Sequence, residues 1–339
     1  MMFWMPLAQL RQKIISAGGF VNAHAHFDRA YSVTPADLPM GQPVLGQSSI
    51  ALDAVVERPL QEKWQLVDAW KKSASEDDYF AHITSALRAQ HEFGVRLALT
   101  FIDCDPVAGT RALDAALRAK EYASQQLQMK LVLACQTLKG VLNEEARQFF
   151  EKSLESVDVI GGLPGADRGR EQEHLDVLLS AAKATGKRVH VHVDQNNDPN
   201  ERETEQLART VIRHGLEGKV TAVHGISIGC QPKSYRQELY KLCNDAGLSF
   251  VACPGAWLDA RRNEVLTPTH NAITPIDEMI PAGLCVAIGS DNISDIYKPF
   301  ADGDPMVELR MLLEATHFYD SAELIRIATE NGRRVLGLA

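Results

Sequence analysis

Eight short apolar runs, separated by turns and amphipathic stretches, limit what this chain can fold into more than any other feature. They are Phe20 to His24, Val95 to Asp103, Lys130 to Gln136, Val157 to Leu163, Arg188 to Gln195, Lys219 to Gly225, Leu248 to Pro254 and Leu284 to Asp291. Runs of this length read as strands buried on both faces, and their alternation with helical stretches is the pattern of repeated parallel βα units. Leu175, Leu178, Leu179 and Ala182 recur at helical spacing and stop at Gly186, and Leu239, Leu242, Cys243 and Ala246 do the same before Gly247. No GxGxxG follows any run, which argues against a doubly wound dinucleotide fold. Eight units in 339 residues therefore predict a (β/α)8 TIM barrel, with residues 1–339 as a single domain. Its first crossover, Arg29 to Glu92, is long, with helices expected over Leu60 to Lys72 and Tyr79 to Phe93. Crossovers of that length at the catalytic face of a barrel cover or line the site.

The balance of 35 basic against 44 acidic residues, a net charge of −9 with no basic block, argues against nucleic acid or an anionic membrane as partner. A small-molecule substrate is expected, and assembly into a homo-oligomer is left open. The apolar run Met1 to Ala8 has no preceding positive charge and contains Pro6, so it reads as neither signal peptide nor membrane span, and a cytoplasmic location is expected. The six cysteines form no CxxC pair, so neither a disulfide framework nor a cysteine zinc site is indicated.

Four of the 11 histidines, His24, His26, His192 and His224, fall at the C-terminal ends of expected strands, the rim where barrels place their chemistry. His24 and His26 are one residue apart, so in an extended strand both imidazoles project to one face and reach one ion. On the fifth strand His190, His192 and Asp194 are expected to face the interior; His192 lies near enough to the rim to ligate, and His190, a layer deeper, reads as structural. The eighth run ends at Asp291 above the small Ala287 and Gly289. Three neutral imidazoles and a carboxylate at one barrel mouth suit a single divalent metal ion such as zinc, with an open position for water. Such an ion lowers the pKa of its water from about 15.7 toward about 7. Asp291 is then suited to accept the water proton and deliver it to a leaving nitrogen, while His224 orients the attacking oxygen.

With these residues in place, the sequence resembles the amidohydrolase superfamily, and within it the cytosine-deaminase-like group. The likeness runs over nearly the whole chain, through Phe20-Val21-Asn22-Ala23-His24-Ala25-His26-Phe27-Asp28-Arg29, Val191-His192-Val193-Asp194, Val223-His224, Ala252-Cys253-Pro254 and Gly289-Ser290-Asp291-Asn292. The resemblance implies a mononuclear metal site, zinc or alternatively iron, with His24, His26, His192 and Asp291 as ligands and His224 as a catalyst beside the ion. It aligns Gln136 with a glutamine that holds a substrate's amide edge and puts Tyr297 in the place of a pocket aromatic. Trp257, beyond the seventh strand, joins these as a substrate-binding candidate.

Three departures bear on the chemistry. Gln195 stands where the deaminases carry a proton-shuttling glutamate, and a neutral amide hydrogen-bonds but moves no proton. Asn292 replaces an acidic residue beside the metal aspartate. The chain also starts and stops close to the barrel, so little or no flanking β-sandwich is expected. Cytosine is thus disfavoured, and the reading is hydrolysis of a C–N bond in an amide, lactam or imide, with Gln195 as a neutral donor. Deamination of another heterocycle is one alternative, and a catalytically degenerate small-molecule-binding barrel is another. The fourth run has no lysine, so the carbamylated-lysine bridge of two-metal relatives is not expected, and Lys139 reads as a loop cation. Arg261 and Arg262 are carboxylate-clamp candidates, more readily read as solvated, and Trp64 and Trp70 are either a lid or helix anchors.

Overall fold

The computed structural model describes residues 6–32, 60–259 and 272–338, with no account of the side chains of 60–62 and 257–259. Helix α1 (Pro6–Ser16) leads into β1 (Phe20–Asn22). The first crossover contains α2 (Leu60–Ser73) and α3 (Glu76–Glu92). There follow β2 (Val95–Asp103), α4 (Arg111–Leu127), β3 (Lys130–Gln136), α5 (Glu144–Ser153), β4 (Val159–Gly162) and α6 (Glu171–Thr185). The second half runs β5 (Arg188–Val193), α7 (Glu203–His214), β6 (Val220–His224), α8 (Lys233–Asp245), β7 (Ser249–Ala252), the short α9 (Ile276–Met279) and β8 (Cys285–Ile288). Helices α10 (Pro305–Thr316), α11 (Ser321–Ala328) and α12 (Glu330–Val335) complete it.

All seven neighbouring strand pairs are parallel and follow chain order. The ring closes where Ala23 N–H donates to the Ile288 carbonyl at 2.9 Å and Asp291 N–H to the His24 carbonyl at 3.0 Å, with a parallel bridge between Ala25 and Asp291. This is the expected (β/α)8 barrel. Among the described residues, every strand belongs to it.

Period-two alternation sorts the strand side chains into two cores. Val21, Leu97, Leu99, Phe101, Val132, Val159, Val223 and Val251 fill the interior, with Val335 and Leu336 packed into the same cluster. Ala98, Ile102, Leu133, Ile160, Val191 and Ala222 face outward onto the helices. There they meet Leu175, Leu178, Leu179 and Ala182 of α6, which ends with Gly186 at φ +73° as its left-handed cap. A Ser75–Asp78 capping box starts α3, and Asn143 accepts from the Glu145 and Ala146 amides to start α5.

The crossover is tied onto the barrel by charge. Lys71 of α2 lies 3.0 Å from Asp103 at the end of β2 and also pairs with Asp105. Lys139, after β3, pairs with Asp68 of α2 at 2.6 Å, so the expected loop cation is one of the ties. Trp70 packs edge-on against Tyr79 at 4.9 Å and His82 at 5.3 Å as an anchor. Trp64, on the same helix, lines the cavity at the barrel mouth instead. Trp70 thus takes the anchoring role.

Candidate active site

The strand ends bring five predicted side chains into one buried cluster. His24 Nε2 lies 3.2 Å and His26 Nε2 3.3 Å from Asp291 Oδ1. The His192 ring centre is 4.8 Å from that of His24 and 5.3 Å from that of His224. His24, His26 and His192 each offer a donor atom within 4.8 Å of the others, and so do His24, His224 and Asp291. Position follows from backbone as much as from strand order. His224 and Asp291 hold φ of +77° and +58°, left-handed turns that L-residues adopt at a cost and that tend to cluster at functional sites. Gly289 has to lack a side chain, since a Cβ there would stand 2.7 Å from the His24 Cβ and carbonyl oxygen.

This donor set fits a divalent metal ion. His192 Nδ1 donates to the Gly162 carbonyl at 3.0 Å, which fixes its tautomer and leaves Nε2 as an unprotonated donor. That Nε2, together with Nδ1 of His24, His26 and His224, is buried with no hydrogen-bond partner among the described residues. The orphaned His192 Nε2, with the His24 and His26 Nε2 atoms that face the Asp291 carboxylate, makes a donor set that a divalent cation would satisfy. Burial drives the imidazole of His192 down to about 4 and holds His24, His26 and His224 well below the ordinary histidine value, so all four are neutral at pH 7. Burial alone would raise the Asp291 carboxyl. The Lys298 ammonium, with hydrogen bonds from His24 and His26, outweighs it and holds Asp291 well below the carboxylate range.

Around the cluster lies a cavity partly open to solvent. Gln136, Gln195, Asn292 and Tyr297 all line it, as do Arg29, Leu138, Leu163 and Ala256. Gln136 ends β3 and is buried, with Oε1 lacking a partner among the described residues. Trp257 lies in the turn Pro254–Asp259 that follows β7, its side chain outside the described residues, as are Arg261 and Arg262.

Two charged residues emerge that sequence reasoning left without a role. Lys298 is buried, with Nζ 3.0 Å from Asp291 Oδ2. Arg29, directly after the HxH segment, is buried among Asp295 at 3.4 Å, Asp103 at 3.6 Å and Asp28 at 3.8 Å. Its guanidinium also sits 5.2 Å from the Tyr297 ring centre and donates to Asn292 Oδ1 at 3.4 Å. The position of Arg29 in the motif was visible in the sequence; its partners, 74 to 266 positions away with the exception of Asp28, were not.

One expectation is corrected. Asp194 does not face the interior: β5 ends at Val193, and Asp194, at φ +51°, turns its carboxylate onto the first amides of α7, accepting from Glu203 at 2.9 Å and Thr204 at 3.2 Å. It caps a helix. His190 keeps its structural role, donating from Nε2 to the Val335 carbonyl at 3.1 Å at the closed end of the barrel.

Comparison with known proteins identifies the family of the chain. Residues 51–339 match the model of the amidohydrolase family. An uncharacterized protein from Haemophilus influenzae is 45% identical over 80% of this chain and 94% of its own length. N-isopropylammelide isopropyl amidohydrolase from Pseudomonas is 27% identical, over 94% of this chain and 74% of that protein. The crystal structure of 5-methylcytosine deaminase from Klebsiella pneumoniae superposes with a TM-score of 0.81 at 25% identity, covering 95% of this chain and 75% of the other. The chain belongs to the amidohydrolase family, a hydrolase of carbon–nitrogen bonds outside peptides.

Proposed function

We propose that the protein is a mononuclear, metal-dependent amidohydrolase that cleaves a C–N bond of a small cyclic nitrogen compound, most simply an amide, lactam or imide. The observation that carries this reading is the convergence of His24, His26, His192, His224 and Asp291 on one point at the floor of a cavity whose other polar walls include the neutral carboxamides of Gln136, Gln195 and Asn292. His24, His26, His192 and Asp291 would hold one ion, zinc or alternatively iron. When bound, the ion supplies a water activated near neutral pH and polarises a substrate carbonyl.

The remaining chemistry belongs to side chains. Asp291, ionised beside Lys298, accepts the proton of the attacking water and hands it to the leaving nitrogen. His224 hydrogen-bonds that water and aims it. Gln195 donates its amide N–H to the carbonyl oxygen as negative charge develops there. Trp64 and Tyr297 provide aromatic surface for a planar ring, and Gln136 pairs with an amide edge. Relatives that act on N-isopropylammelide and 5-methylcytosine support a nitrogen-rich ring as the substrate class.

Gln195 favours amide hydrolysis over deamination, because protonating a ring nitrogen requires an acid at that position and an amide is not one. The reading is tested by assaying the metal-depleted and the zinc-loaded protein against a panel of lactams, imides and aminoheterocycles. Hydrolysis of a lactam or imide only in the loaded protein is the expected result. Turnover confined to aminoheterocycles would replace amide hydrolysis with deamination, and metal binding without turnover of any member would favour a binding protein.

A further inference from the structure

The hydrogen-bonding ends of four carboxamides, those of Gln136, Gln195, Asn196 and Asn292, specify more than a small cyclic compound. Asn292 lines the cavity while its Oδ1 accepts from Arg29 Nη2 at 3.4 Å, so the end left for a ligand is the Nδ2 donor pair. Gln136 lines it with Oε1 buried and unpartnered among the described residues, so there a ligand N–H is wanted. Gln195 presents a whole carboxamide, the self-complementary partner of a cis –NH–C(=O)– edge. Apart from Asp291, which belongs to the histidine cluster, no carboxylate lines the cavity among the described residues. Asn196, whose Nδ2 donates to Glu201, keeps its Oδ1 as a further acceptor for a ligand N–H, so Asn292 is the wall residue that opposes an amino group and favours a carbonyl. Arg29 adds no net attraction for an anion, because Asp28, Asp103 and Asp295 all lie within 3.8 Å of it.

Resting on the amidohydrolase reading above, we infer that the substrate is an uncharged planar ring carrying at least two –NH–C(=O)– units, a cyclic ureide or imide, and that Asn292, oriented by Arg29, selects its second carbonyl. Hydrolysis of one such edge adds the oxygen of water to the carbonyl carbon and breaks the ring C–N bond. The nitrogen takes a proton of that water, and a ring-opened carboxylic acid results. No co-reactant other than water is needed.

Uracil and cytosine are the matched probes. They share N1–H and C2=O and differ at one edge, where uracil presents N–H and C=O and cytosine presents a bare nitrogen and an amino group. Binding of each to the zinc-loaded protein is measured by calorimetry, with no reliance on turnover. The expected result is that uracil binds at least tenfold more tightly than cytosine. In Asn292→Asp, whose carboxylate accepts where the amide donated, the ratio should fall below about threefold or invert. In Asn292→Ala, a smaller change that controls for misfolding of the charged variant, uracil should weaken about tenfold while cytosine changes little. Cytosine binding as tightly as uracil, a ratio untouched by both substitutions, or no binding of either probe at millimolar concentration would each overturn the inference. If any of these results came from a protein that still hydrolyses another amide or lactam only when zinc-loaded, the ureide assignment would fall and the amidohydrolase reading would stand.

Discussion

Lys298 Nζ lies 3.0 Å from Asp291 Oδ2, the carboxylate oxygen turned away from the two histidines that approach Oδ1. Both side chains are 6% exposed, and the Lys298 ammonium is the main compensation for the buried Asp291 charge. Removing the cation strands a buried carboxylate. Lys298→Met is therefore expected to destabilise the metal-free protein by about 3–5 kcal/mol, with zinc restoring a large part because the ion compensates the same carboxylate. Urea unfolding with and without zinc measures both effects. An equal loss in the two states would mean that Lys298 supports packing and not the charge of Asp291.

His224 is assigned to aiming the nucleophile and not to holding the ion. His224→Asn should leave zinc content unchanged and lower kcat by about 10²–10⁴-fold. Metal content and steady-state kinetics on the same preparation separate the roles. Zinc lost in proportion to activity would make His224 a ligand.

Gln195 decides which chemistry the barrel favours. Gln195→Glu places an ionised carboxylate where an N–H is needed against a developing oxyanion, so kcat/KM for lactam or imide hydrolysis should fall by about 10²-fold or more. A rise in kcat/KM at unchanged metal content would identify a deaminase working without its acid.

Glu308, on α10, is buried and accepts from the Gly255 amide at 2.7 Å, and burial raises its carboxyl from 4.5 to about 7. A carboxyl raised on folding contributes stability that is present below its unfolded pKa and is lost as pH rises through the folded one. Glu308→Gln removes that dependence. The variant should therefore gain on the wild type by on the order of 3 kcal/mol between about pH 4 and pH 8. A difference in unfolding free energy that stays flat over this range would contradict the assignment.

What could be read from the sequence was what repeats or what terminates a repeat. The limits of β2 and β3 agree with the apolar runs, and the four strand-end histidines and Asp291 were identified because a strand's C-terminal end in a barrel is a defined place. The pairing of Lys298 with Asp291 was not legible, since a lysine ten residues past β8 reads as a packing residue at the pocket edge until the loop is seen to fold back. The same holds for Arg29, whose burial rests on carboxylates from distant segments. Asp194 does not follow the strand alternation because β5 ends at Val193 and Asp194 itself takes a left-handed turn that no local signal marks. Pro6, read as an interruption of the first apolar run, is the first residue of α1, a position where its missing N–H costs no helical bond.

On the proposed reading His24, His26, His192 and Asp291 hold one metal ion, with His224 beside it. The most direct test of that reading is metal analysis of the purified protein, after dialysis against zinc, beside the His24→Ala, His26→Ala double variant. One zinc per chain is expected in the wild type and essentially none in the double variant, with hydrolytic activity following the bound zinc. A stoichiometry near two, or zinc retained by the double variant, would contradict it.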